Sequence, residues 1–254
     1  MTIGSTLKNR ICLVTGAGSG IGKAVALVFS AEGAKVIAAD INKEAAKMTV
    51  NQLKGKPEHH MAVSGDVSSE SSVENMAQEI MDHYEGNVPS IVVHSAGILF
   101  YNEGLQSTTE EMFDHTIQVN LKGTFLINKK FIGLMAENGV ANGSVVNISS
   151  ILARLGKPTA IAYSSTKGAI VSLTKSISRE YGPKGIRVNA ISPGYIDTPL
   201  GGPGPRLPVE QLKKFVDLGR RGTPEEVAQL CLFLASEKSS YITGENYEIS
   251  GGLP

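Results

Sequence analysis

A strand-length apolar run that leads into a glycine-rich turn constrains this chain more than any other feature. The run spans 10–15, and the turn reads Gly16-Ala17-Gly18-Ser19-Gly20-Ile21-Gly22. An amphipathic helix follows to about Ala31, and a second strand over 35–39 leads to Asp40. Glycines let the backbone approach a pyrophosphate, and free amides at the helix N-terminus bind it. The position between strand and helix therefore predicts a dinucleotide site, with a tight turn that holds no ligand as the alternative.

Asp40 indicates which dinucleotide the turn would bind. It lies 20 residues after Gly20, where an acidic side chain can accept the ribose 2′-hydroxyl and repel a 2′-phosphate. The neighbouring Ser19 and Ile41 offer no cation for that phosphate, and Lys43 fits a solvated helix position better. The sequence thus favours NAD over NADP.

Strand and helix patterns alternate along the rest of the chain. Strands are expected at 60–64, 90–94, 144–148, 187–191 and 247–249. Helices are expected at 42–53, 163–181, 224–235 and near 209–218, and also from a Ser68 or Ser69 cap to about Tyr84 and from a Thr108 or Thr109 cap to about Glu137. The stretch 199–208 is rich in Gly and Pro and is expected to be a mobile loop. Because such alternation builds one parallel sheet with helices on both faces, and no linker interrupts it, we predict a single α/β domain over residues 1–254.

Composition disfavours several classes of function. The 24 basic and 24 acidic side chains leave no net charge, which argues against a nucleic acid or an anionic membrane as the main partner. No apolar run reaches the length of a membrane span. Cys12 and Cys231 both lie in apolar runs, which predicts buried, reduced thiols. With five His and no Cys/His cluster, no metal site is expected.

A hydroxyl followed by a Tyr-x-x-x-Lys pattern is the second informative motif. Lys167 would lie one helical turn beyond Tyr163 on the same face. A phenol with a pKa of ~10 needs a shift of roughly 2–3 units, or about 3–4 kcal/mol, to be useful near neutrality. One positive charge at ~4 Å and an effective dielectric of ~20 supplies about 4 kcal/mol, so Lys167 is expected to lower the pKa of Tyr163. Ser150 would donate a hydrogen bond to the substrate oxygen. The alternative is a chance pattern, with the tyrosine at a core edge and the lysine in solvent.

Taken together, these residues resemble the short-chain dehydrogenase/reductase family over essentially the whole chain. The matches are Thr15-Gly16-x-x-x-Gly20-x-Gly22, Asp66, Ala96-Gly97, Asn120, Ser150, Tyr163-x-x-x-Lys167 and Pro193-Gly194. The resemblance implies a doubly wound Rossmann sheet of about seven strands and a nicotinamide cofactor. It also implies a catalytic tetrad of Asn120, Ser150, Tyr163 and Lys167. In that tetrad Tyr163 exchanges the proton and Ser150 orients the substrate oxygen. Lys167 lowers the tyrosine pKa and holds the nicotinamide ribose, and Asn120 distorts its helix and holds a relay water.

The resemblance also implies the residues that contact the cofactor and the substrate. The cofactor set is Gly16, Ser19, Gly20, Ile21, Gly22, Asp40, Ile41, Asp66, Val67, Ala96, Gly97, Tyr163, Lys167, Pro193, Gly194, Ile196 and Thr198. Within it, Asp66 and Val67 would contact the adenine, and Ile196 and Thr198 the carboxamide. The substrate set is Ser150, Leu152, Ile161, Tyr163 and Tyr195, with residues of the 199–215 loop, which would close over the substrate if it orders.

One segment departs from the family pattern. His94-Ser95-Ala96-Gly97 stands where the family usually has Asn-Asn-Ala-Gly. The two asparagines mostly tie neighbouring strands together, so a histidine and a serine are expected to change the local hydrogen bonding without loss of activity. His94 as a catalytic base is the alternative.

Four segments, 88–93, 120–126, 147–151 and 241–244, are similar to one branch of the family. It contains 17β-hydroxysteroid dehydrogenase type 8 and resembles the bacterial β-ketoacyl-acyl-carrier-protein reductases. This resemblance implies an NAD-linked enzyme for 17β-hydroxysteroids such as estradiol, for 3-hydroxyacyl thioesters, or for both. It also implies a mitochondrial location, with a cytoplasmic one as the alternative, and a homotetramer or a heterotetramer with a second dehydrogenase subunit. Lys129, Lys130 and Lys184 would meet carrier phosphates or simply be solvated. The functional alternative is an NAD-binding subunit or sensor with little activity, which the intact tetrad argues against.

Overall fold

The computed structural model describes residues 5–200 and 208–253. Within this part of the chain there are seven strands: β1 (Ile11–Thr15), β2 (Lys35–Asp40), β3 (Met61–Ser64), β4 (Ile91–His94), β5 (Gly143–Ile148), β6 (Ile186–Pro193) and β7 (Asn246–Ile249). They form one parallel sheet in the order β3-β2-β1-β4-β5-β6-β7. The strand order reverses between β1 and β4, and in sheets of this kind ligands bind in the crevice at the carboxyl ends of the strands.

The helices of the described residues are α1 (Gly20–Ala31), α2 (Lys43–Val50), α3 (Glu70–His83), α4 (Glu110–Thr116), α5 (Gly123–Glu137), α6 (Leu152–Leu155), α7 (Ile161–Tyr181), α8 (Val209–Leu212) and α9 (Pro224–Ala235). A π-helical segment, Ile117–Lys122, joins α4 to α5. The predicted fold class, a doubly wound α/β sheet, is confirmed. The boundaries differ most at α2 and α8, which are shorter than predicted, and at α6, which was not predicted. Most of the 199–208 loop falls on 201–207, outside the described residues.

Side-chain caps explain where several helices begin. Asn42, Ser69 and Thr109 each accept a hydrogen bond from a backbone amide in the first turn of α2, α3 and α4. Thr223 and Glu226 form a reciprocal capping box at the start of α9. Of the paired cap candidates in the sequence, Ser69 and Thr109 are the residues used.

The two faces of the sheet carry separate apolar clusters, because successive side chains of a strand point to opposite sides. Val14 and Val93 pack under α1 and α9, whereas Leu13 and Val92 face the side of α3 and α5. Both cysteines are fully buried free thiols, as predicted. Burial raises the pKa of Cys12 to about 12, so this thiol stays protonated.

Candidate active site

The glycine-rich turn leaves room at the N-terminus of α1 for an anionic group. Gly16 and Gly20 have positive φ angles of 67° and 52°. Residues other than glycine rarely adopt this backbone conformation. A Cβ added at Gly22 would lie 2.2 Å from the Gly16 carbonyl oxygen. Ser19, unlike the caps of α2, α3, α4 and α9, makes no side-chain capping bond, and no acidic residue lies in the first turn. The uncapped amides therefore fit the predicted pyrophosphate of a dinucleotide.

Two carboxylates lie at the same edge of the sheet, Asp40 as the last residue of β2 and Asp66 two residues after β3. Asp40 accepts hydrogen bonds from the Gly18 and Asn42 amides, both at 2.9 Å. Asp66 accepts from the Ser68 amide and hydroxyl at 2.9 and 2.7 Å. The Gly18 contact fixes Asp40 against the glycine-rich turn, which is where a ribose ligand has to lie.

Ser150 and Tyr163 are brought together by β5 and α7. Ser150 follows the end of β5, and Tyr163 is the third residue of α7. Both are 7% exposed, and a side-chain hydrogen bond joins them. The Ser150 hydroxyl oxygen also accepts from the Leu152 amide at 3.2 Å, which fixes its direction. Two hydroxyl groups thus face one position, as a carbonyl or alcohol oxygen requires.

Lys167 lies beneath this pair. Its ammonium nitrogen is 5.4 Å from the centroid of the Tyr163 ring and donates to the Ile148 carbonyl oxygen at 2.8 Å. The side chain is only 4% exposed, so the alternative of a solvated lysine is wrong. Burial lowers its pKa to about 8, because an ammonium group loses its hydration inside the protein.

The pKa of Tyr163 corrects one expectation from the sequence. Burial raises it to about 12, and the hydrogen bond from Ser150 offsets only part of that increase. Lys167 does not lower it as predicted, since the Coulomb argument left out the loss of hydration by the phenolate. Burial within the protein therefore keeps Tyr163 as a neutral phenol.

Asn120 lies inside the π-helical segment, so the predicted distortion of its helix is confirmed. Its Oδ1 accepts from the Ile98 amide at 2.8 Å, and its Nδ2 donates to the Ile98 carbonyl oxygen at 2.9 Å. A longer bond of 3.3 Å reaches the Thr166 hydroxyl. The side chain is fully buried, and it fixes the backbone just beyond Gly97. Its role with a relay water stays a prediction.

His94 replaces the first asparagine of the family pattern and still ties two strands together. A 2.8 Å hydrogen bond joins its Nδ1 to the Thr15 hydroxyl on β1. Its Nε2 is buried and makes no hydrogen bond within the described residues. Burial, with a smaller contribution from the charge of Lys167, lowers its pKa to about 3. A buried neutral imidazole of this kind is a poor base near neutrality, which argues against His94 as the catalytic base.

Two further residues of the predicted cofactor set, Ala96 and Thr198, lie against the glycine-rich turn. A Cβ added at Gly20 would lie 3.3 Å from the Thr198 side chain, and one at Gly16 would lie 2.8 Å from the Ala96 backbone. Pro193 ends β6, and Ile196 pairs with Gly222 in an isolated bridge. Val67 is buried, whereas Ile41 is 72% exposed at the end of β2. The structure thus places Ala96 and Thr198 beside the turn; the contact of each residue of the set with a cofactor stays a prediction.

Two of the predicted substrate residues, Leu152 and Tyr195, belong to an apolar cluster that includes Ile151, the residue after Ser150. Leu152 and Tyr195 pack against a small cluster of Ile151, Leu212, Val216 and Leu253. The rings of Tyr195 and Phe215 lie 5.5 Å apart, and Ile161 begins α7 next to Tyr163. Sequence reasoning missed Tyr101, whose phenol interacts electrostatically with both Tyr163 and Tyr195. No motif marked it, because it lies in an irregular segment after β4.

The three lysines considered for carrier phosphates lie elsewhere. Lys129 pairs with Glu70 at 2.8 Å, and Lys130 pairs with Glu74 at 2.5 Å, both across to α3. Lys184 lies over the Tyr181 ring at 4.8 Å, at the C-terminal end of α7 and far along that helix from Tyr163. These positions favour the interpretation that the three lysines are surface groups.

Among residues 5–200 and 208–253, no group of three or more His, Cys, Asp or Glu side chains could hold a metal ion. No helix of the same residues is long and apolar enough to cross a membrane.

A glycine-rich dinucleotide turn and a buried Ser–Tyr–Lys site at one edge of a parallel sheet define an oxidoreductase that acts on CH–OH groups with a nicotinamide cofactor. The model of a family described as enoyl-(acyl carrier protein) reductase matches residues 16–254. The chain belongs to the short-chain dehydrogenase/reductase family.

Curated relatives and solved structures agree with this assignment. Human (3R)-3-hydroxyacyl-CoA dehydrogenase is 39% identical over 254 residues, which cover 97% of this chain and 96% of the relative. A 3-oxoacyl-acyl-carrier-protein reductase of Thermotoga maritima is 39% identical over 247 residues, covering 97% and 98%. The crystal structure of 3-ketoacyl-(acyl-carrier-protein) reductase from Brucella melitensis, complexed with NADH, superposes with a TM-score of 0.89 at 31% identity, covering 97% and 98% of the two chains. The predicted placement near the reductase and hydroxysteroid dehydrogenase branch is confirmed.

Proposed function

We propose that this protein is an NAD-dependent oxidoreductase that interconverts 3-hydroxyacyl and 3-oxoacyl thioesters. One observation carries the proposal: the buried hydroxyls of Ser150 and Tyr163 are hydrogen-bond partners, and the buried Lys167 ammonium lies 5.4 Å from the centroid of the Tyr163 ring. The thioester class is supported by the substrates that the names of the human and Thermotoga maritima relatives state.

The site residues divide the chemistry among them. In reduction, Tyr163 donates its proton to the carbonyl oxygen, and in oxidation it accepts the hydroxyl proton. Ser150 donates a hydrogen bond to that oxygen and stabilises the charge that develops on it. The hydride is exchanged with the nicotinamide ring, which is the chemistry that the cofactor supplies. Lys167 and Asn120 keep the phenol and the backbone around it in place, so the reacting groups are oriented before they react.

The preference for NAD rests on Asp40. Its carboxylate is fixed by two backbone amides at the edge of the glycine-rich turn. A fixed negative charge there accepts a ribose hydroxyl and repels a 2′-phosphate. The residues that follow, Ile41 and Asn42, carry no positive charge that would offset this repulsion.

The apolar side chains of Leu152 and Tyr195 suit either an acyl chain or a steroid, as does the predicted substrate residue Ile161, so a 17β-hydroxysteroid such as estradiol is the alternative substrate. We also propose an oligomer, because Phe113 and Phe125 on the neighbouring helices α4 and α5 are 38% and 46% exposed. The choice between a homotetramer and a heterotetramer, and the mitochondrial location, stay predictions. Light scattering of the purified chain, compared with a pulldown from its source, tests the choice between the homotetramer and the heterotetramer.

Initial rates with purified protein test the proposed function. The assay combines NAD or NADP with a 3-hydroxyacyl-CoA or with estradiol. We expect turnover with NAD and the thioester, and much slower turnover of the steroid. Turnover of estradiol alone would replace the substrate in the proposal, and turnover with NADP alone would overturn the role of Asp40. Clear NAD binding without activity on either substrate would favour the non-catalytic subunit.

A further inference from the structure

A tyrosine and a lysine from separate segments meet beside the site. Tyr101 belongs to the irregular segment after β4, and Lys157 follows α6, six positions before Tyr163. The Lys157 ammonium nitrogen lies 5.0 Å from the centroid of the Tyr101 ring, within the range of a cation–π contact. The Asn102 amide donates to the Thr159 carbonyl oxygen at 3.0 Å and joins the two segments. We call Tyr101 and Lys157 the entrance pair.

The entrance pair borders the space that the substrate has to cross. The Tyr101 phenol contributes to the raised pKa of Tyr163, and Tyr195 contributes to that of Tyr101. Tyr101 therefore lies within electrostatic range of Tyr163 on one side and of Tyr195 on the other. Tyr101 is about half exposed, so the pair lies where the site opens to solvent.

Lys157 keeps its charge available. Within the described residues it has no carboxylate partner, whereas Arg154, close by in sequence, pairs with Glu248 at 2.8 Å. A cation–π contact positions an ammonium group without neutralising it, because the ring carries no net charge. Among residues 5–200 and 208–253 none of its three N–H donors makes a hydrogen bond, so they can bind an anionic ligand at the mouth of the site.

The substrate class of the proposed function supplies such an anion. The reacting C3 of a 3-hydroxyacyl thioester lies only two bonds from the thioester carbonyl carbon, so the carrier arm begins close to the reacting atoms, runs outward and bears phosphate. A steroid bears no charge. From these contacts we propose that the entrance pair is a binding subsite for the phosphate-bearing arm of an acyl thioester, with Lys157 as the cationic contact and Tyr101 as the surface that holds it. This inference rests on the proposed function, and it makes the thioester the preferred substrate over the steroid.

The test compares two thioesters of the same 3-oxoacyl group. One is the CoA thioester, and the other is the N-acetylcysteamine thioester, which lacks the phosphates. For Lys157→Met we expect KM for the CoA thioester to rise about threefold to fivefold with little change in kcat, and the truncated thioester to respond by less than about twofold. Lys157→Arg should restore the wild-type KM, and Lys157→Glu should raise it by about tenfold or more. Added KCl should raise KM for the CoA thioester in the wild type and less so in Lys157→Met.

Lys184→Met is the matched control, since it removes a second lysine that lies over a tyrosine ring, at the other end of α7. Its kinetics should equal those of the wild type. Tyr101→Leu should reproduce part of the Lys157→Met effect, whereas Tyr101→Phe keeps the ring and should not. A third assay uses the same acyl group on acyl carrier protein. The carrier for which Lys157→Met raises KM more, CoA or acyl carrier protein, is the one whose phosphate the entrance pair binds.

The outcomes separate this inference from the proposed function. If the wild type reduces both thioesters and Lys157→Met matches Lys184→Met, the entrance pair is a solvated surface contact and the inference is overturned while the function stands. If Lys157→Met impairs the reduction of both thioesters equally, Lys157 affects the structure of the site and does not bind the phosphate-bearing arm. That result also overturns the inference. If the wild type reduces neither thioester, the proposed function itself fails.

Discussion

The ammonium nitrogen of Lys167 lies 5.4 Å from the centroid of the Tyr163 ring, and both side chains are almost fully buried. Burial disfavours the charged form of each group, so it raises the pKa of the phenol to about 12 and lowers that of the ammonium to about 8. The protein thus holds a neutral phenol next to a lysine that is charged at neutral pH and close to losing its proton. In this arrangement Tyr163 is ready to donate a proton, as ketone reduction requires. Oxidation needs a further positive charge next to the phenol, which an oxidised nicotinamide ring carries.

Tyr163→Phe should abolish turnover and leave the cofactor site intact. The variant keeps the ring and removes only the hydroxyl that exchanges the proton, so kcat should fall by about 10³-fold or more. Binding of NADH, followed by its fluorescence, should be nearly unchanged because the glycine-rich turn is untouched. Turnover above about one-tenth of the wild-type rate would contradict the assigned role.

Lys167→Met should inactivate the enzyme and change how its stability depends on pH. The folded pKa of Lys167, about 8, lies below its ordinary value of 10.5. Between these values the unfolded chain binds more protons than the folded one, so wild-type stability rises with pH. The rise is about 1.4 kcal/mol per pH unit, or about 2 kcal/mol from pH ~8 to ~9.5, and the variant lacks it.

Urea unfolding at both pH values checks this prediction. The difference in unfolding free energy between Lys167→Met and wild type should shift by about 2 kcal/mol in favour of the wild type as the pH rises. Lys184→Met, which removes an exposed lysine, is the control and should show no such shift. If the difference in unfolding free energy does not vary with pH, burial does not lower the pKa of Lys167.

His94→Asn should make the protein less sensitive to acid. The folded pKa of His94 is about 3, below its ordinary value of 6.5, because burial disfavours the imidazolium. The stability contributed by the neutral imidazole is present above pH ~6.5 and is lost as the pH falls, by about 1.4 kcal/mol per unit. Between pH ~7 and ~5 the wild type should therefore lose about 2 kcal/mol more than the variant. His83→Asn, at the exposed end of α3, is the control and should follow the wild type in denaturant titrations at both pH values.

Local sequence signals predicted most of the fold. The bounds of α9 match the prediction because Thr223 caps the helix and Pro224 occupies its first position. The strands follow from apolar runs bounded by turn residues, and the glycine-rich turn lies between β1 and α1 as expected. In contrast, α6 has only four residues, Leu152–Leu155, which is too short to show a helical period.

The site was predictable as a set of residues but not in its energetics. The Tyr-x-x-x-Lys spacing places two side chains on one helix face, yet it does not say how deeply they are buried. That depth sets the direction of the Tyr163 pKa shift. Likewise, no local pattern relates Tyr101 to Lys157, because the contact depends on how the segments after β4 and α6 pack together.

Asp40→Asn should weaken the discrimination between the two nicotinamide dinucleotides. Asn keeps the shape of the side chain, and its Oδ1 can accept from one of the two backbone amides that Asp40 binds. It removes the negative charge, so repulsion of a 2′-phosphate disappears, and kcat/KM for NADP should rise about tenfold relative to that for NAD. Asp66→Asn removes a neighbouring carboxylate that makes no contact with the glycine-rich turn among the described hydrogen bonds, and it should change this ratio far less. Equal ratios of kcat/KM in Asp40→Asn and wild type would show that the charge of Asp40 does not select the cofactor.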